Sequence, residues 1–362
     1  MLMRSTGGLM LATSDIQKRG QNVRYRDEQA ALTQTLEPIL TNSRKGKEAT
    51  GLAAATSEAI AVVIVTYNSS KLLPDLIASL PAGMGGLEWH LIIVDNDSSD
   101  DSVAQAHRLA PNSIIIETGR NAGYAAGINA GVAAAPPHGY VLVLNPDVRL
   151  LPDCVPELIT ALGKPGTGIA APHLVDREGI RIDTQRREPS IIRALADALL
   201  GARTAGKIAG LGEVITDEDS YRRETLVDWA EGSTLLISKA CWDTCGPWDE
   251  SFFLYSEETD FALKSRDAGF VTRYTPSARA IHLEGDSGQS PALWALLNLN
   301  RVRLYRRRHG AVLGALYWAA LVLREGSRAM LGRQVNRAAL RALLSPSKMR
   351  AVAGPDLVQT LG

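Results

Sequence analysis

From residue 59 onward the chain alternates between two patterns. Short β-branched apolar runs, AIAVVIVTY (59–67), WHLIIVD (89–95), SIIIETG (113–119) and YVLVLN (140–145), are separated by helix-compatible segments, SKLLPDLIASL, SDDSVAQAHRLA and AGYAAGINAGVAAA. Runs that are apolar at nearly every position belong to strands buried on both faces. Their alternation with helices predicts an α/β fold, with a Rossmann-like, mostly parallel central sheet and helices on both faces. Ligands of such sheets gather at the carboxyl ends of the strands. Thr66, Tyr67, Asn68, Asp95 and Asp147 all fall at ends of this kind.

The pattern changes on either side. Residues 1–57 are polar and weakly patterned, and read as an N-terminal extension. Residues 58–290 form the patterned domain. Its second half carries a strand around Ser233–Ser238, a Gly-Pro-Trp-Asp turn, a helix from about Ser256 to Ala268, a strand FVTRYTP, and then a loop bearing His282. Residues 291–362 read as helical, basic and apolar.

Composition narrows the classes. The 362 residues are 45% hydrophobic and 22% charged, enough for one large domain with appendages or two modest ones. Lys plus Arg and Asp plus Glu number 39 each, which argues against a polyanion partner, so no nucleic acid is expected. Cys154, Cys241 and Cys245 are too few for a disulfide framework and fit a reducing, cytoplasmic setting. The first twenty residues lack the h-region of a signal peptide, and no run reaches the ~18 to 20 apolar residues that span a bilayer. There is neither a Gly-x-Gly-x-x-Gly after the first strand nor a P-loop, which disfavours dinucleotide dehydrogenases and NTPases.

The candidate chemistry lies in acidic residues. In VLVLNPDVRL (141–150) a buried run ends in Asn145-Pro146-Asp147, which is either ordinary turn chemistry or a carboxylate placed for use. Asp95 could accept a hydrogen bond from a base N–H or cap the next helix; Ser98, Ser99 and Asp100 are better caps, which would leave Asp95 available. The small residues of GRNAGYAAGINAG (119–131) suit tight helix-on-sheet packing or the close approach of a ligand, with Arg120 offering charge to a phosphate. Glu257, Glu258 and Asp260 crowd one helix start. The macrodipole favours acidic residues there, but three so close repel, and a carboxylate with a raised pKa suits a general base. His282 becomes a ligand candidate if Asp147 is near, since oxygen and imidazole together suit Mn2+ or a similar ion.

Six segments in order, VVIVTYNSS, LIIVDNDSSDDS, GRNAGYAAGINAG, VLVLNPDVRL, WAEGSTLLISKACWDTCGPWDESFFLYSEETDFALKSRDAGF and AIHLEGDSG, resemble the family 2 glycosyltransferases, most of all their rhamnosyltransferase-like branch. The resemblance covers about residues 59 to 310. It implies a GT-A fold, an inverting transfer, a divalent metal (Mn2+ or Mg2+), and a dTDP- or UDP-linked sugar donor. By position, Thr66, Tyr67 and Asp95 would hold the nucleoside, with Arg120, Gly123 and Asn145 along the donor. Asp147 matches the last Asp of the family's Asp-x-Asp metal motif, whose first Asp is Asn145 here, and His282 matches a second metal ligand. Glu258 matches the catalytic base, although Glu-Glu stands where many relatives have Glu-Asp, so Glu257 stays a rival. Trp229, Gly232, Ser233 and Glu257 match the acceptor side. The implied reaction moves a sugar such as rhamnose from dTDP-rhamnose onto a lipid-linked or polysaccharide acceptor in cell-surface glycan synthesis. UDP-galactofuranose or UDP-glucose is the alternative donor, and a non-catalytic sugar-nucleotide binder is the alternative class.

The C-terminal stretch bears on location. NLNRVRLYRRRHG (298–310) concentrates arginines, and AVLGALYWAALVL (311–323) follows with Tyr317 and Trp318 inside, then Arg324, Arg328 and Arg333. It reads as a basic helix packed on a core, or as a segment docking on an anionic membrane surface with its aromatic residues at headgroup level. The second reading places the protein in the cytoplasm, held peripherally at the inner face of the cell membrane.

Overall fold

A computed structural model describes residues 59–208, 210–283 and 290–361; the extension expected over 1–57 lies outside the described residues. Residues 177–180 group apart, and everything below concerns the other unit.

β1 (Ile60–Thr66) is followed by α1 (Leu73–Met84), β2 (Trp89–Asp95), α2 (Ser102–Leu109), β3 (Ile114–Glu117), α3 (Tyr124–Ala134) and β4 (Tyr140–Leu144). β1 shows why its run is apolar throughout. Ile60, Val62 and Ile64 pack with Leu73, Leu76 and Leu80 of α1, whereas Ala61, Val63 and Val65 pack with Ala125, Ile128 and Val132 of α3. Alternate side chains therefore enter two separate cores. Each large aliphatic buried there contributes about 1.5–3 kcal/mol, so neither face tolerates a polar residue. The small residues of α3 serve this packing: a Cβ on Gly127 or Gly131 would collide with Val65 or Val63.

β1, β2, β3 and β4 are parallel, and their register aligns the functional ends. Thr66 lies opposite Asp95, and Ile64 opposite Leu144, so the Asn145–Asp147 turn leaves the sheet beside the end of β1.

The second half supplies β5 (Val148–Leu150), α4 (Cys154–Leu162), β6 (Thr167–Val175), β7 (Gln185–Arg186), α5 (Ile191–Leu200), α6 (Ala202–Lys207), α7 (Glu218–Arg222), β8 (Thr225–Val227), β9 (Trp229–Ala230), β10 (Thr234–Ser238), α8 (Lys239–Cys245), a 3-10 turn (Glu250–Phe252), α9 (Glu257–Asp267) and β11 (Val271–His282). The main sheet runs β3-β2-β1-β4-β10-β6-β11-β5, with β8 on β11, while β7 and β9 make a separate ribbon. Here β10 is antiparallel to β4 and β6, so the sheet is mixed beyond β4. One expectation is corrected. His282 is the last residue of a strand rather than part of a loop. β11 continues beyond a register shift between Thr275 and Arg279, still paired with β6 as far as Ile281 on one edge, while β5 pairs along its other edge, where His282 meets Val148. That pairing sets His282 beside Asp147.

α10 (Pro291–Met330) breaks at Gly310, where φ is 82°. Its two limbs fold back on each other: the Trp294 indole donates to Glu325 at 2.8 Å, and Tyr305 stacks on Tyr317 at 4.2 Å. α11 (Gln334–Leu343), α12 (Pro346–Arg350) and α13 (Pro355–Leu361) complete the chain. This hairpin corrects the aromatic part of the membrane expectation. Tyr317 is fully buried, Trp318 donates to the Leu343 carbonyl, and Arg301 and Arg324 face inward.

Candidate functional site

Two side chains meet at the end of β11. His282 Nε2 lies 3.3 Å from Asp147 Oδ2, and His282 Nδ1 lies 3.4 Å from Glu231 Oε1. Burial works against the Asp147 charge, but the His282 hydrogen bond and charge outweigh it and hold the carboxyl below its usual value. Glu231 follows β9 and sits behind the imidazole, in the place of a carboxylate that orients a metal-ligating histidine. Asp147 and His282 present one oxygen and one nitrogen to a common point, a donor set that suits Mn2+ or Mg2+ completed by other oxygens. No group of three or more His, Cys, Asp or Glu that could hold a metal occurs among the described residues. Two protein ligands with the rest supplied by substrate is the arrangement these residues fit.

The acidic cluster at the start of α9 resolves into unlike members. Asp260 pairs with Lys264 at 2.6 Å. Glu257 is buried, and its Oε2 has no hydrogen-bond partner among the described residues. Burial first, and Glu258 second, push its carboxyl well above the ordinary value. Glu258 is half-buried, and burial raises it to about 7, with Glu231 adding to the effect. A carboxylate poised there can take a proton under physiological conditions.

The chain holds Glu258 by close approach and by strain. Gly232 packs tightly on it: a Cβ there would stand 3.1 Å from the Glu258 Cβ. Phe253, Tyr255 and Ser256, just before α9, all have positive φ. Asn300 of α10 secures this strained loop by donating to the carbonyls of Phe252 and Leu254 at 2.8 and 2.9 Å.

At the β1 and β2 ends, Asp95 is almost fully buried and not left free by the serines that follow. Its oxygens accept from the Thr66 hydroxyl at 2.9 Å and from the Ser98 amide at 2.8 Å. Asp100 takes the capping part, accepting from the Ser70 and Ser102 amides. Tyr67 is exposed and lines a cavity of about 350 Å3 with Asn96, Asn121, Gly123 and Tyr124. Arg120 is exposed and outside that lining, and Gly123 is occupied by packing, since a Cβ there would lie 2.3 Å from the Phe253 carbonyl. The Asn145 backbone amide donates to the carbonyl of Ser233, tying the Asn145–Asp147 turn to the start of β10.

A second cavity, about 310 Å3, is lined by Trp229, Glu231, Glu258, Arg186, Arg301 and Arg324 among others. The sequence reading missed Tyr124, Asn96 and Glu231. Tyr124 lines the first cavity, donates to the Gly232 carbonyl at 3.3 Å, and is held protonated by burial, then by the charges of Glu257, Asp147 and Glu258. Asn96 donates to the Gly123 carbonyl at 2.9 Å, fixing the loop that enters α3. All three lie inside the quoted segments, but no local signal singled them out, because each acts through chain segments distant in sequence.

Comparison with known proteins bears on family and fold. The profile described as Glycosyl transferase family 2 matches residues 61–211. An N-acetylglucosaminyl-diphospho-decaprenol L-rhamnosyltransferase of Mycobacterium tuberculosis is 30% identical over 257 residues, covering 65% of this chain and 80% of its own length. A low-salt glycan biosynthesis hexosyltransferase of Haloferax volcanii is 29% identical over 229 residues, covering 62% of this chain and 66% of its own. Among solved structures, a mannosyltransferase of Pyrobaculum calidifontis in complex with GDP-Man and Mn2+ superposes with a TM-score of 0.50 at 13% identity, over 92% of this chain and 94% of that one.

Proposed function

This chain belongs to glycosyltransferase family 2, with the GT-A fold, and is a hexosyltransferase; from that premise we propose an inverting, metal-dependent transfer of rhamnose from dTDP-rhamnose to a lipid-linked acceptor. The observation that carries the reading is Glu258, raised to about 7 in the cavity it shares with Trp229 and Glu231. Inversion requires the acceptor hydroxyl to attack the anomeric carbon opposite the leaving diphosphate, and Glu258 takes its proton as the bond forms.

Asp147 and His282 would hold the divalent ion, which when bound offsets the charge developing on the leaving nucleotide diphosphate. Glu231 keeps the imidazole turned toward Asp147. Tyr67 offers an aromatic face to the base at the first cavity. Asp95 has lone pairs left after Thr66 and Ser98, and an N3–H of thymine or uracil can use one. Trp229, Gly232 and Ser233 shape the acceptor side. Rhamnose and a diphospho-lipid acceptor are suggested by the mycobacterial relative, whose name carries both.

A lipid-linked acceptor places the reaction at a membrane surface, here the inner face of the cell membrane. No helix among the described residues is long and apolar enough to cross a bilayer. The second limb of α10 instead exposes Val312, Leu316, Leu323 and Met330, and α5 exposes Ile192 and Leu199. Four or more aliphatic residues along one exposed face, with Arg333 and Arg337 exposed next to it, suit partial insertion among anionic headgroups.

The experiment is a donor panel with N-acetylglucosaminyl-diphospho-polyprenol and Mn2+, read by mass spectrometry. A product gaining deoxyhexose from dTDP-rhamnose supports the reading. Products from UDP-galactofuranose or UDP-glucose but none from dTDP-rhamnose would replace the sugar, and no product from any donor would leave a binding protein.

A further inference from the structure

Arg324 is an unusual residue to find inside the helical hairpin. It lies on the second limb of α10, is 7% exposed, and lines the same cavity as Glu258. Its Nε and Nη1 are buried with no hydrogen-bond partner among the described residues. Glu325 is next to it, but Oε1 stands 3.6 Å from Arg324 Nε, beyond hydrogen-bond reach. The other Glu325 oxygen already accepts from the Trp294 indole at 2.8 Å and the Asn336 amide at 2.6 Å. Nε and Nη1 carry three of a guanidinium's five N–H donors, and leaving them unmet in a buried place costs free energy that a ligand can recover.

The charges around it leave room for an anion. Arg301 lines the same cavity and is paired with Glu213, which removes that carboxylate from competition. Glu231 stands between His282 and Arg186. Asp197 also lines the cavity but makes no hydrogen bond through Oδ1 among the described residues, and burial pushes its carboxyl up toward the neutral form. Arg324 thus lines a space in which Glu213 and Glu231 already have partners, and Asp197 makes no hydrogen bond to it through Oδ1.

We infer that Arg324, with Arg301 beside it, binds the diphosphate that joins the acceptor's sugar to its lipid. The inference rests on the lipid-linked acceptor proposed above. One molecule then spans the cavity, its sugar hydroxyl at Glu258 and its phosphates at the hairpin. Its lipid leaves past α5 and α6, which supply Asp197 and Ala202 to the cavity wall and expose Ile192 and Leu199 to the outside. Guanidinium is suited to this use because its fork matches two phosphate oxygens at once.

The test uses the full chain in EDTA, titrated calorimetrically with geranyl diphosphate, so that the metal-dependent donor site does not contribute. Wild type and Asp147→Ala should bind alike, and Arg324→Gln should bind roughly tenfold to hundredfold more weakly, the loss expected for hydrogen bonds to a charged group. Retained binding of dTDP with Mn2+ verifies that Arg324→Gln is folded. If it does not fold, Leu297→Glu, which places a carboxylate on the cavity wall, should abolish geranyl diphosphate binding instead. Unchanged affinity in the folded Arg324 variant, or in Leu297→Glu, overturns the inference, as does loss of binding in Asp147→Ala. Inorganic pyrophosphate binding as tightly as geranyl diphosphate would mean a site for the free anion, and would overturn the lipid-linked assignment. Nothing is transferred in this titration, so its failure is distinct from failure of the donor panel.

Discussion

Gly232 and Glu258 touch so closely that the glycine is part of the base's position. A Cβ at 232 would come within 3.1 Å of the Glu258 Cβ and 3.2 Å of its Cγ, so the glutamate would have to give way by a few tenths of an ångström. Gly232→Ala should therefore lower kcat by roughly tenfold, as small misplacements of a reacting group do, with the donor KM unchanged. Steady-state kinetics on the purified variant reads this split; a raised donor KM with normal kcat would assign Gly232 to the donor side.

Metal linkage is expected to run through Asp147, His282 and Glu231. Asp147→Ala should remove the Mn2+-dependent part of the thermal shift given by dTDP. His282→Ala should do the same, and Glu231→Gln should weaken metal affinity by roughly tenfold to hundredfold, the usual effect of losing a carboxylate behind a ligating histidine. Unchanged Mn2+ dependence in Asp147→Ala would leave Asn145-Pro146-Asp147 as a turn alone.

The acidic pair makes stability depend on pH in a defined direction. Glu258 has its folded pKa raised from 4.5 to about 7, so the native state binds its proton more tightly than the unfolded chain. The associated stability is full below the unfolded value and is lost as pH rises through about 7. Glu258→Gln never ionises, and should be more stable than wild type at pH 8 by roughly 1 to 3 kcal/mol, with a smaller gain at pH 5. Denaturant melts at the two pH values measure the difference; an equal or reversed difference would place Glu258 in an ordinary environment.

Membrane docking should depend on aliphatic contact as well as charge. Leu316→Ser with Leu323→Ser should reduce cosedimentation with vesicles containing anionic lipid, and added salt should reduce it further. Binding indifferent to both would remove the second limb of α10 from the membrane surface.

The sequence exposed much of this arrangement, for reasons that can be located. β1 was legible because both of its faces are buried, which leaves an uninterrupted apolar run, and Asp147 because it ends a strand of the same kind. The length of β11 was not legible: it runs on past the shift between Thr275 and Arg279 with β6 on one edge and β5 on the other, and no local pattern records that. The hairpin of α10 was hidden for a similar reason. The run 311–323 is apolar because one side meets Trp294, Tyr305 and Leu343 while the other stays exposed, and a linear reading sees a single stretch. Asn300 looked like one polar residue in a basic helix, yet it holds the Phe252–Tyr255 loop through contacts 45 or more residues away. Glu257 and Glu258 could not be ranked from adjacent identical letters. Their difference is burial, which only the packing around Gly232 and Tyr255 creates.

That ranking is the centre of the account, and single-turnover transfer measures it most directly. Wild type, Glu257→Gln and Glu258→Gln are each loaded with the donor that wild type uses and mixed with excess acceptor. Glu258→Gln should transfer about 10² to 10⁴ times more slowly, the range for losing a general base, while binding donor within a few-fold of wild type. Glu257→Gln, losing a group whose burial favours the protonated form, should retain most of the rate. Normal transfer by Glu258→Gln, with Glu257→Gln inactive, would contradict the assignment.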